Sequence, residues 1–142
     1  MTLLLSEELA QDLRRHGETA YPEEGAGLIL GRDEGDRRLA VQLLPLPNRS
    51  PDGARRRRYW IDPRDVMEAE TQAEREGLDI LGVFHSHPDH PAEPSETDRE
   101  GALPWYVYVI TSVRNGSAME STGWRLADDR LRFEPVPILM EN

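Results

Sequence analysis

The feature that most restricts what this chain can fold into is one run, Leu78 to Pro88 (LDILGVFHSHP), which follows Gly77 and ends in two histidines and a proline. Its apolar residues are nearly continuous rather than alternating, so both faces need cover. A strand of that kind belongs inside a sheet with helices packed on it. Tyr106 to Ser112 (YVYVITS) reads as a second buried strand. The fold class these runs imply is α/β (α+β), a mixed β-sheet with flanking helices.

The other elements arrange themselves around those two strands. Residues 1–5 read as a short strand, and Ser6 caps a helix running to about His16, with Leu9 and Leu13 on one face and Gly17 as its stop. Ala26 to Leu30 and the run LAVQLLPL from Leu39 pair as a hairpin across the turn residues Asp33 to Asp36. Pro45 to Arg58 reads as an exposed loop, Arg58 to Ile61 as a strand, and Asp62-Pro63 as the start of a helix that runs to about Glu76 and stops at Gly77. Ser95 opens a short helix, and Met119 to Ala127 with Leu131 to Val136 make a closing hairpin. No repeat, low-complexity linker or composition break divides the 142 residues, which are expected to form a single domain, 1–142.

Composition removes several chemistries. There is no cysteine, so disulfides, thiolate zinc sites and cysteine nucleophiles are excluded. All 17 basic residues are arginine, so no side chain here forms a Schiff base or accepts an isopeptide bond, and any isopeptide chemistry acts on another protein. A formal charge of −10 argues against nucleic acid as a partner. The run Arg55 to Arg58 is the local exception, either a solvated turn or a docking patch for an acidic partner. The opening MTLLLSEELA has too short an apolar stretch for a signal peptide or membrane anchor, so a soluble cytoplasmic protein is expected.

His85 and His87 stand two apart near the end of a strand, so both imidazoles leave one face and can converge on one ion. Asp98 falls on the first turn of a helix after a tight proline loop. A carboxylate presented from there completes a His2Asp set and leaves a fourth tetrahedral position for water, the arrangement of a catalytic zinc. Nitrogen and oxygen donors suit zinc, and iron, cobalt or manganese are compatible by ligand type.

Each part also has an ordinary role. Histidines spaced in this way are common at surfaces and in cores, and Ser95-x-x-Asp98 is a capping box, in which Ser95 caps the helix or stabilises an oxyanion. Water activation needs a base, and Glu23 and Glu24 both precede the buried run GLIL; position alone does not choose between them. His90 reads as solvent-exposed or lying near the ligands rather than as a fourth ligand, and Trp60, Trp105 and Trp124 as core or rim residues.

Together, Glu24-x-x-Gly27-Leu28, His85-Ser86-His87-Pro88 and Ser95-x-x-Asp98 resemble the JAMM motif of the MPN-domain (Mov34/PAD-1) metalloproteases in order and spacing, across Leu3 to Ser112. The resemblance implies an MPN/JAMM-like fold, one Zn2+ per chain held by His85, His87 and Asp98, Glu24 as the catalytic acid/base, and Ser95 as the oxyanion stabiliser. It selects Glu24 over Glu23 because the family's glutamate precedes a two-residue gap and a small residue, here Gly27. It implies hydrolysis of an amide or isopeptide bond next to the C-terminal Gly-Gly of a ubiquitin-like or sulfur-carrier protein, trimming the carrier or releasing cysteine from its adduct. A general isopeptidase similar to the deubiquitinases and a non-catalytic MPN scaffold are the alternatives. The eukaryotic deubiquitinases carry ubiquitin-gripping insertions for which 142 residues leave little room, and scaffolds typically lack part of the motif. The oligomeric state stays open.

Overall fold

The histidine-bearing run lies where its composition requires: β4 (Asp79–Pro88) sits inside an eight-stranded mixed sheet, between β2 (Ala26–Asp33) and β5 (Val107–Arg114). The computed structural model describes residues 1–141. The remaining elements are β1 (Thr2–Ser6), α1 (Glu7–Ala20), β3 (Arg37–Leu46), α2 (Pro63–Glu76), α3 (Glu96–Gly101), β6 (Ser117–Leu126), β7 (Phe133–Val136) and β8 (Ile138–Glu141). Strand order across the sheet is β7-β6-β5-β4-β2-β3-β1-β8.

Helices cover both faces, which is why the run is apolar at consecutive positions. Phe84 packs with Ala10 and Leu13 of α1, together with Leu3, Ile29 and Val109. Its neighbour Val83 points the other way, packing with Ala69 and Ala73 of α2, Leu28 and Tyr108. Side chains alternate along a strand, so His85 and His87 share the face of Val83 and not that of α1. β4 runs parallel to β5, with His87 opposite Ser112, and antiparallel to β2, with Ala26 opposite His85. A parallel pair needs a crossover. Here it carries α3 and leaves from the histidine end of β4.

Four sequence expectations change. α1 passes through Gly17 and ends at Ala20: a Cβ on Gly17 would lie 2.9 Å from Val113 Cγ2, so this glycine lets the helix settle onto β5 rather than stopping it. Gly77 does stop α2, in the left-handed conformation at φ 68°. Arg58 to Ile61 forms no strand: the Asn48 side chain and the Arg49 backbone take the N–H and C=O of Trp60. β8 was not foreseen; it follows β7 after Pro137 alone, yet pairs with β1 at the opposite end of the sheet, so the two ends meet at that proline. The hairpin strands β2 and β3 both run longer than expected, and the closing hairpin forms as β6 and β7.

Leu81 is the extra residue of a bulge between β4 and β2. Its carbonyl accepts from Nη1 of the buried Arg38 at 3.0 Å, the same nitrogen donates to Trp105 O, and the guanidinium lies 3.9 Å over the Trp105 ring. Arg38→Met removes this donor from both carbonyls and is expected to cost about 2 kcal/mol, read as a lower urea midpoint. No described helix is long and apolar enough to cross a membrane.

Candidate metal centre and active site

The site begins with a helix cap. Ser95 Oγ accepts from Asp98 N at 3.0 Å while Asp98 Oδ2 accepts from Ser95 N at 2.9 Å, the reciprocal bonds of a capping box. This fixes the carboxylate, and the same Oδ2 lies 3.0 Å from His87 Nε2 and 3.3 Å from His85 Nε2, with the two nitrogens 3.2 Å apart. His87 Nδ1 stands 2.9 Å from Pro91 O, a carbonyl that can only accept, so Nδ1 carries the hydrogen. In the neutral ring the Nε2 lone pair therefore faces inward. Tyr59 packs on the His85 ring at 4.4 Å and forms the wall behind it.

Glu24 completes the group. Donor atoms of Glu24, His85, His87 and Asp98 all lie within 4.8 Å of one another, and all four residues are buried. Glu24 Oε1 has no hydrogen-bond partner, whereas Glu23 is exposed and outside the cluster. The backbone holds this acid in place: Glu24 N donates to Arg55 O at 2.7 Å and Glu24 O accepts from Asn48 Nδ2 at 2.9 Å. One residue on, Ser86 Oγ accepts from Gly25 N, and Ser86 N donates to Gly25 O. A Cβ on Gly25 would meet the His16 ring at 2.8 Å, so glycine is what fits between β4 and α1.

The donor set suits a divalent ion. Tetrahedral zinc with ligands at about 2.0 Å separates adjacent donors by about 3.3 Å. The triangle of His85 Nε2, His87 Nε2 and Asp98 Oδ2 has sides of 3.0, 3.2 and 3.3 Å. Two imidazoles and a carboxylate aimed at one point repel one another unless a cation or protons sit between them.

The titrating groups are pushed apart. Burial, opposed by His87 and helped by Asp98, pushes the Glu24 carboxyl up to about 8. Burial also works against the Asp98 carboxylate, but hydrogen bonds from His85, His87 and the Ser95 N–H hold it far below the usual carboxylate range. Burial lowers His85. It opposes the charged form of His87 as well, where the bonds to Asp98 and Pro91 outweigh it and raise the pKa.

In the metal-free protein a raised Glu24 has a stability signature. Between about pH 4.5 and 8 the folded state holds a proton that the unfolded chain releases, so this group's contribution to stability falls as pH rises. Metal-free Glu24→Gln, which lacks that titration, is expected to exceed the parent in stability by on the order of a few kcal/mol at pH 8 and to lose the advantage near pH 5. Urea unfolding in chelator at both pH values checks it.

Two clefts flank the cluster. One, of about 380 Å³, is lined by Glu24, Arg57, His87, Pro91, Glu93 and Ser95. The other, of about 300 Å³, lies beyond Asp98 and is largely apolar, with Leu28, Tyr59, Trp60, Val66, Tyr106 and Tyr108 in its walls. His90 lines the first cleft and is not one of the clustered donors. Trp60 is about half exposed and lines the second cleft, Trp105 is equally exposed and lies under the Arg38 guanidinium, and Trp124 packs partly buried against the core, so only Trp60 is at the rim of the site. Ser86, Asn48 and Tyr59 were missed. Ser86 was readable from strand alternation, since it must leave the face opposite the histidines, while Asn48 and Tyr59 act through contacts distant in sequence.

An acid kept buried and unpaired beside metal-spaced donors serves an enzyme that activates water, and the class that this fold and site define is a hydrolase whose donors can hold a metal. A family profile described as prokaryotic homologs of the JAB domain matches residues 6–127, and the chain belongs to that family. Among similar proteins, a probable TtuB-protein conjugate cleaving protease from Thermus thermophilus is 35% identical over 117 residues, 80% of this chain and 74% of the relative. A CysO-cysteine peptidase from Mycobacterium tuberculosis is 26% identical over 96% of this chain and 91% of its own. A protein from Salinibacter ruber, solved in solution, is 40% identical, with a TM-score of 0.76 over 100% of this chain and 92% of its own.

Proposed function

We propose that the protein is a zinc-dependent peptidase that cuts the amide or isopeptide bond next to the C-terminal Gly-Gly of a ubiquitin-like or sulfur-carrier protein, with His85, His87 and Asp98 as the zinc ligands. The observation that carries this is the buried, unpartnered Glu24 carboxyl beside three donors at tetrahedral spacing. Zinc held there would polarise the scissile carbonyl and lower the pKa of water to about 7. Glu24 takes the proton from water as its oxygen attacks the carbonyl carbon, then delivers that proton to the leaving nitrogen as the C–N bond breaks. Ser95 Oγ accepts from Asp98 N, and its own proton stays free to stabilise the oxyanion.

The apolar cleft suits the residues ahead of the two glycines, and glycine suits the narrow approach because it brings no side chain. Tyr59, Trp60 and Ile61 line that cleft and offer apolar surface for the residues of the tail ahead of the glycines. The relatives named for TtuB conjugates and for CysO-cysteine support the substrate class. A chain without cysteine suits the reducing cytoplasm, where we place it. Zinc-loaded protein incubated with several carrier fusions, mapped by mass spectrometry, is expected to cut after the second glycine; no cleavage across all of them overturns the proposal.

A further inference from the structure

The arginine run left open by the sequence lies beside the site. Arg57 lines the cleft that contains Glu24, His87 and Ser95. The turn that carries it is fixed to the acid from both sides: Glu24 N donates to Arg55 O, and Asn48 Nδ2 donates to both Glu24 O and Arg58 O. Within the turn, Arg57 N donates to Ala54 O at 3.0 Å. Among the described residues no carboxylate lies within ion-pair distance of Arg57, although Arg55 in the same turn pairs with Asp52. Glu93 lines the same cleft without reaching Arg57, so the guanidinium charge stays unneutralised.

The two clefts differ in their charged residues: Glu24, Arg57 and Glu93 line the first, while aliphatic and aromatic side chains make up most of the second. If the tail occupies the second, the leaving nitrogen falls on the side of Glu24, the group that returns its proton, and therefore on the side of Arg57. A carboxylate on the carbon next to that nitrogen is only two bonds away. Guanidinium is the side chain best matched to such a carboxylate, through two parallel hydrogen bonds.

We propose that Arg57 selects a leaving group that is a single amino acid with a free α-carboxylate, so that the favoured substrate is a carrier tail extended by one residue rather than a conjugate through a lysine side chain. Water adds across the bond: its oxygen joins the glycine carbonyl carbon, the C–N bond breaks, and the released amino acid keeps its carboxylate on Arg57 until it departs. The inference rests on the peptidase proposal above. It adds the identity of the leaving group.

The test compares two carrier substrates ending in Gly-Gly-Ala, one with a free C-terminal carboxylate and one with a carboxamide. The zinc-loaded protein is expected to favour the acid about 10-fold in kcat/KM, mostly through KM. Arg57→Gln is expected to bring the acid down to the level of the amide, and the neighbouring Arg56→Gln to keep the preference. Equal rates for the two substrates, or a preference that survives Arg57→Gln, overturn the role of Arg57 while leaving the peptidase intact. Failure to cut either substrate, with zinc bound, removes the peptidase proposal and this one with it.

Discussion

Replacing Glu24 with glutamine is expected to lower turnover by about 10³-fold while one zinc per chain still binds, because the amide keeps the shape of the side chain and cannot accept the proton from water. Glu24 is 5% exposed and its Oε1 has no partner, and without metal, burial pushes its pKa up to about 8. A cation beside it would favour the carboxylate, the form that accepts a proton. The Glu24 backbone is bonded to Arg55 O and to the Asn48 side chain, so the substitution has little reason to move the loop. Turnover and zinc content measured on the same preparation separate loss of the proposed base from loss of metal binding. A variant that stays active places the base elsewhere.

Replacing His87 with alanine is expected to abolish both zinc binding and turnover. Loss of a partner outside the ligand shell already costs roughly 10- to 100-fold in metal affinity. Here a donor 3.0 Å from Asp98 and 3.2 Å from the other imidazole disappears, together with the bond that ties its ring to Pro91. The parent is expected to melt at a higher temperature with zinc than without, since a ligand bound only by the folded state stabilises it. The variant should lose that increment and still fold: β4 is held by ladders to both neighbours, and its packing on α1 and α2 runs through Phe84 and Val83 rather than His87.

What could be read from the sequence was what local spacing determines. The continuous run before His85 required cover on both faces, the two-residue step placed His85 and His87 together, and Ser95-x-x-Asp98 built its capping box. The capping box and the donor cluster are compatible because one oxygen, Asp98 Oδ2, serves both. Choosing Glu24 over Glu23 needed the motif; in the structure Glu24 turns inward and Glu23 outward.

The misreadings share a cause, namely contacts made far along the chain. Gly17 looks like a helix stop, yet the approach of Val113, nearly a hundred residues on, makes it an interior packing position. The segment Arg58 to Ile61 has strand-like residues, but Asn48 and Arg49 occupy the backbone groups of Trp60 that a neighbouring strand would need. β8 is short and follows a proline, and its partner is β1 at the other end of the chain. Tyr59 meets His85 only because the loop before α2 folds back over β4.

The most direct measurement is a zinc titration of the metal-free protein, following binding and cleavage of a Gly-Gly-extended carrier together. The predicted result is activity that rises from zero to its plateau at one zinc per chain in the parent, with stoichiometric binding but almost no activity in Glu24→Gln, and neither in His87→Ala. Cleavage that proceeds in chelator, or zinc bound in full by His87→Ala, would contradict a metal site built from this cluster.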